Sequence, residues 1–207
     1  MQQLFSQETE VLRFVISSQM KKYVTDNIQN LSVKKEDYEK TREFIVQNFF
    51  QMLRLDTAME VKTAQNICGA VSVLAMFGNI GYWISAFDDI ISLGQTSPQN
   101  FIYSSMIFGD IDYAFSSLAS NDKTKMRIKV FLEDKSDRIM NYIKDYFQKL
   151  KSPGQHSNSQ LLLDNFIKVI SSFAKYQIPL IRDKEICEFL LGNIANGGNG
   201  SNKNLDI

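Results

Sequence analysis

Residues 63–87, TAQNICGAVSVLAMFGNIGYWISAF, run for 25 positions without a charged side chain. A helix that is apolar on every side has no solvated face, so such a run must enter either a bilayer or a protein core. Gly78-Asn79-Ile80-Gly81 interrupts it. Glycine at the end of a helical pattern is a common C-cap, taking a left-handed backbone conformation without a Cβ penalty, and Asn beside Gly strengthens a turn. Split there, each part has at most 16 residues, and a single membrane span needs about 20. In an unbroken span Asn79 would lie near mid-bilayer, and Asp88-Asp89 follow with no Lys or Arg anchor nearby. The run therefore reads as a buried helix–turn–helix over 57–93. One helix ends near Gly78 and the second runs from about Gly81 to Leu93.

Charge along the 207-residue chain reinforces this reading. Residues 1–62 hold nine basic and nine acidic side chains, and residues 121–192 hold thirteen and nine. Residues 63–120 hold no Lys or Arg and only Asp88, Asp89, Asp110 and Asp112. A charge-poor centre between two charge-rich arms suggests a central element wrapped by amphipathic ones. With 44% hydrophobic residues, among them 15 Phe, the chain can fill one core. Formal net charge is zero, so no overall field draws the chain to nucleic acid or to an anionic membrane.

The arms carry helical periodicity. Residues 8–30 place Leu12, Val15, Ile16, Tyr23 and Ile28 on one stripe. Ser32 can cap a second helix over 34–55, whose apolar face is Tyr38, Phe44, Ile45, Phe49, Met52 and Leu53. Thr57 and Glu60 fit a capping box. Ser97-Pro98 reads as an N-cap with Pro at the first helical position, opening a helix over 98–119. One long helix is expected over 122–151, then helices at 160–177 and 182–192. The alternation of KTKMRIKVF leaves a second possibility, a short antiparallel hairpin within about 111–132 that would make the fold α+β. The expected fold is mainly α: a single-domain helical bundle over 1–192 with a buried central hairpin, followed by a flexible Gly/Asn-rich tail over 193–207.

Few residues offer chemistry. Cys68 and Cys187 are 119 positions apart, belong to no CxxC and read as two buried free thiols in a reducing compartment. His156 is the only histidine and lies in a polar loop without a catalytic companion. No glycine-rich phosphate loop, HExxH or GxSxG occurs. Asp110 and Asp112 would point about 200° apart on one helix and cannot share an ion. Lys123, Lys125, Arg127 and Lys129 put four cations into seven residues at a helix start, against the helix dipole. These four, with Asp110 and Asp112, are the candidate partner contacts. No catalytic residue, metal ligand or cofactor is expected.

By elimination the chain reads as a non-enzymatic interaction protein: an adaptor, a chaperone-like binder or a subunit of a larger complex. Its partner would be protein, held through an apolar groove or patch rich in Met and Phe. A homo-oligomer is compatible with this. The alternative is a membrane-associated helical protein using the apolar 63–93 segment. The N-terminal MQQLFSQETEVLRF has no secretory pattern, so the expected location is cytoplasmic.

Overall fold

The computed structural model describes residues 9–31, 33–78, 82–117, 122–151, 159–175 and 183–197. Every regular element among them is helical: α1 (Glu10–Leu31), α2 (Lys35–Phe49) with a 3-10 turn (Phe50–Met52), α3 (Ala58–Gly78), α4 (Ala86–Thr96), α5 (Pro98–Gly109), α6 (Ile111–Ser117), α7 (Asp122–Asp134), α8 (Ser136–Lys151), α9 (Ser159–Ala174) and α10 (Lys184–Gly197). The α+β alternative is excluded, because both arms of that hairpin are helices.

The uncharged run goes into the protein's own core. On α3, Thr63, Ala64, every residue from Ile67 to Met76, and Gly78 are buried, and α1, α5 and α6 cover the helix. No described helix is long and apolar enough to cross a membrane. The break falls where the glycines place it: α3 ends at Gly78, whose carbonyl accepts the amides of Tyr82 and Trp83, each at 2.7 Å. Gly78 itself does not adopt the left-handed conformation expected of a C-cap. Its small size is required instead, because the Tyr38 hydroxyl lies where a Cβ would project.

On its inner side α3 packs on α5 and α6 more than on α4. Every residue of α5 from Phe101 to Phe108 is buried. In contrast, α4 is amphipathic, burying Ala86, Phe87, Ile90 and Gly94 and exposing Asp89 and Ser92. Ser97 caps α5 as its sequence indicates: the Asn100 amide bonds its hydroxyl at 3.1 Å, and Pro98 opens the helix. An aromatic layer joins α5 to α8 and α9. Phe101 packs on Tyr146 (centroids 4.7 Å apart), Phe108 on Tyr142 (4.8 Å) and Tyr146 on Phe166 (5.0 Å). The phenol groups in this layer find partners: Tyr142 meets the Ser104 hydroxyl at 3.0 Å, and Tyr146 donates to the Leu162 carbonyl at 2.7 Å. That satisfies polar atoms whose burial would otherwise be costly.

Several boundaries differ from the periodicity. The expected helix over 98–119 breaks at Asp110, and the one over 122–151 breaks at Lys135. A stripe that holds 3.6-residue spacing through a one-residue break looks continuous in sequence. α10 continues through Gly197, past residue 192. Ser32, His156 and residues 198–207 lie outside the described residues.

Candidate functional site

α1 sits on α3 through a polar line that joins the C-terminal part of the expected stripe: Ile28 is buried as its spacing predicts, whereas Leu12, Val15 and Tyr23 are not. Glu10, Arg13, Ser17 and Lys21 recur at steps of three and four and continue into Val24, Ile28 and Leu31. This whole line faces inward. Arg13 pairs with Glu60 at 2.7 Å, Asn66 donates to Ser17 at 3.2 Å and Lys21 pairs with Asp110 at 2.9 Å. Beyond Lys21 the line turns apolar, and Val24 and Ile28 are fully buried. Thr57 caps α3 by accepting the Glu60 amide at 3.1 Å. The reciprocal half of the expected capping box is absent, because the Glu60 carboxylate turns to Arg13 and Thr57 donates to Glu10.

Energetics select this face. Glu60 is only 7% exposed. An ionised carboxylate withdrawn from water costs several kcal/mol without a cation. Rolling α1 to bury Leu12, Val15 and Tyr23 would recover roughly 1.5–3 kcal/mol for each large apolar side chain. It would also strip Glu60 and Asp110 of their cations and bring Arg13, Ser17 and Lys21 to the surface. Gly69 favours the observed arrangement, since a Cβ there would collide with the Lys21 ammonium and lie 2.6 Å from the Asp110 carboxylate.

The consequence is an open groove. Leu12, Val15 and Tyr23, expected to point inward, are 36%, 45% and 55% exposed. Across from them stands α2, where Tyr38 and Ile45 are buried but Phe44 is 37% exposed. Between the two helices lies a space of about 610 Å³, lined by Val15, Ile16, Met20, Tyr23, Phe44 and Ile45, with Gln19, Lys40 and Thr41 as its polar members. Toward the α1–α2 turn it continues into a polar end of about 340 Å³ that includes Asn27, Asn30 and Asp37. Lys40 is held by Glu36 at 2.6 Å. Asp37 makes no ion pair among the described residues.

The residues singled out from the sequence do not converge. Asp110 pairs with Lys21, and Asp112 with Lys175. Asp88 pairs with Arg138, while Asp89 accepts from the Trp83 indole at 2.6 Å and from Ser85 at 2.9 Å. Asp88, Asp110 and Asp112 each take a cation from another element, whereas Asp89 is held by the turn before its own helix. Arg127 and Lys129 lie on α7 and make no ion pair among the described residues, with Arg127 exposed and Lys129 partly buried. The side chains of Lys123 and Lys125 lie outside the described set, although both positions belong to α7. Cys68 is buried, and burial pushes its thiol well above the ordinary range. Cys187 is only partly buried, contrary to the expectation of two buried thiols.

Two features escaped the sequence reading. One is the polar line on α1, which was visible as the spacing Glu10, Arg13, Ser17, Lys21 but was outweighed by the apolar stripe. The other is a small cleft of about 150 Å³ where Lys21 and Asp110 meet Gln65, Asn66, Asn165 and Lys168. Its members come from α1, α3, α9 and the α5–α6 junction, so no local motif announces it. Among the described residues no group of acidic, His and Cys side chains could hold a metal ion. Compared with known proteins, the chain matches no protein family, no curated protein and no solved structure.

Proposed function

We propose that this chain is a non-enzymatic protein–protein interaction module, an adaptor or subunit of a larger complex, that receives its partner in the α1–α2 groove. One observation carries the reading: Leu12, Val15 and Tyr23 of α1 are left facing solvent, opposite a partly exposed Phe44, while Arg13, Ser17 and Lys21 lie toward α3. An apolar groove open to water loses free energy at about 25 cal/mol for each Å² that a partner covers. Met20 and Phe44 supply an adaptable and a rigid anchor respectively.

The wall type selects the partner's conformation. Both walls are helices, whose backbone groups are already hydrogen-bonded within them. An extended peptide laid here would leave its own amides and carbonyls unmatched, whereas a helix brings its hydrogen bonds with it. We therefore read the groove as a receptor for an amphipathic helix. Two cysteines without a disulfide support a reducing, cytoplasmic setting. The membrane-associated alternative gains no support, since the 63–78 segment is enclosed by α1, α5 and α6.

Affinity capture from cells with wild type, Val15→Asp and Phe44→Asp tests the reading. Val15 is 45% and Phe44 37% exposed, and thermal melts check that each variant is folded. A partner retained by wild type and lost with both variants is the expected result. An unchanged set of bound proteins would overturn it.

A further inference from the structure

The small cleft among α1, α3, α9 and the α5–α6 junction is lined by polar groups whose hydrogen bonding is incomplete. It shares no lining residue with the α1–α2 groove.

Two serines decide which asparagine atoms remain for the cleft. Ser17 is fully buried and donates its hydroxyl hydrogen to the Phe14 carbonyl at 2.8 Å. It can therefore only accept from Asn66, which must offer its amide nitrogen, at 3.2 Å. Ser105 repeats the arrangement. It is fully buried, donates to the Ile102 carbonyl at 2.7 Å and accepts the Asn165 amide nitrogen at 3.1 Å. Both asparagine carbonyl oxygens are thus left over, and neither has a hydrogen-bond partner among the described residues. Asn165 is only 1% exposed, so its oxygen depends on whatever the cleft admits.

Charged groups line the same space. Asp110 pairs with Lys21 at 2.9 Å through one carboxylate oxygen, and the other oxygen has no partner among the described residues. Lys168 stands one turn along α9 from Asn165 and makes no ion pair among the described residues. Gln65 contributes an amide that likewise has no partner among them, and Met106 a short apolar wall. Glycines keep the walls close. A Cβ at Gly69 would lie 2.6 Å from the Asp110 carboxylate, and one at Gly109 would lie 3.2 Å from the Lys168 Cβ.

The available atoms fall into two sets. Asn66, Asn165 and Asp110 offer three acceptors, which suits an ammonium with its three hydrogens. Lys168 and the Gln65 amide offer donors, which suits a carboxylate. A bare anion would leave both asparagine oxygens without a donor, and a bare amine would leave Lys168 without a counter-charge. The volume of about 150 Å³ is small. It has room for about five waters' worth of ligand, or roughly five to seven non-hydrogen atoms.

We propose that this cleft binds a small free α-amino acid in its zwitterionic form, of the size of glycine, alanine or serine. Its ammonium is held by the carbonyl oxygens of Asn66 and Asn165 and by the Asp110 carboxylate, and its carboxylate by Lys168 and Gln65. Bound there, the ligand joins α1, α3 and α9, so it stabilises the bundle by mass action.

Amide NMR of the full chain, titrated with glycine, L-alanine and L-serine to about 20 mM, tests the proposal. Saturable shifts should concentrate within residues 65–69, 106–110 and 165–168, and the melting midpoint should rise with ligand concentration. Propionate keeps the shape and carboxylate of glycine but carries a methyl in place of the ammonium. Isobutylamine keeps the ammonium and carries two methyls in place of the carboxylate oxygens. Each should bind at least about tenfold more weakly than glycine, because each forfeits its charge-assisted hydrogen bonds. Lys168 is exposed. Lys168→Met should weaken glycine about tenfold, and Lys168→Arg should retain most of the affinity, with thermal melts checking that both variants are folded.

Absence of a saturable shift with all three amino acids overturns the proposal. A response to propionate or isobutylamine as strong as that to glycine also overturns it, since the cleft would then take a bare ion. Shifts confined to residues away from the cleft, or undiminished glycine binding by folded Lys168→Met, overturn it as well.

Discussion

The Tyr38 hydroxyl fills the place where residue 78 would carry a Cβ, and it donates a 2.6 Å hydrogen bond to the Leu74 carbonyl one turn earlier. Tyr38 is fully buried, so this bond ties α2 to the end of the uncharged helix. Gly78→Ala should displace that hydroxyl and cost about 2–4 kcal/mol, the sum of overpacking and a broken buried hydrogen bond. Tyr38→Phe removes the oxygen and should cost about 1 kcal/mol by itself. In the double variant the added methyl meets no hydroxyl, so the two costs should fall short of additive by 1 kcal/mol or more, on the order expected for contacting residues. Urea unfolding of the four proteins measures this coupling, and strict additivity would deny the contact.

Arg13 and Glu60 supply the second prediction. Their side chains are 18% and 9% exposed, which places them between a surface pair and a buried one. Arg13→Met should destabilise by about 2–3 kcal/mol, chiefly because Glu60 is left without a cation. Adding Glu60→Met to it should recover most of that loss, since two apolar side chains of similar length fill the same space. Chemical denaturation of the single and double variants decides it. A double variant no more stable than Arg13→Met alone would show that the pair does more than neutralise Glu60.

Alkaline pH should unfold the protein through its buried phenols. Burial raises Tyr38, Tyr142 and Tyr146 well above the ordinary value near 10 and pushes Tyr103 up to about 12. A group whose proton is held more tightly in the folded state contributes stability that is complete below its unfolded value and lost as pH rises toward its folded one. Stability should thus hold to about pH 10 and then fall, by up to about 1.4 kcal/mol per pH unit for each phenol that ionises only on unfolding. Burial lowers Lys149, which works in the opposite sense, but it is one partly buried lysine against four phenols. Tyr142→Phe should make the decline shallower. Circular dichroism melts and tyrosinate absorbance are followed together from about pH 8 to pH 12, and the share of the absorbance that belongs to the buried phenols should rise only as ellipticity falls. Full tyrosinate absorbance with native ellipticity would contradict the account.

Much of this fold can be read in the sequence, for reasons that particular residues make plain. The uncharged run marks α3 because only a core can hold Ile67 to Met76 without one solvated position. The stripe Leu162, Phe166, Val169, Ile170 and Phe173 marks the inward face of α9, with Asn165 and Ser172 buried beside it. On α1 two lines compete, and spacing alone favours the apolar one. What decides the outcome is a carboxylate at position 60 and another at position 110, far off in sequence, that require Arg13 and Lys21. Apolar periodicity records what a helix could bury. It does not record what distant charges compel it to bury, and the groove arises from that difference.

Cysteine labelling reads the orientation of α1 directly. In a Cys187→Ala background, with Cys68 buried, single cysteines at Val15, Ser17, Tyr23 and Val24 would be timed for reaction with a maleimide under native conditions. The account predicts that the cysteines at 15 and 23 react at rates near those of the unfolded chain, while those at 17 and 24 are protected by 100-fold or more, on the order expected where reaction must wait for opening of a packed helix. Fast reaction at 17 and protection at 15 would show α1 turned the other way, and the groove would not exist.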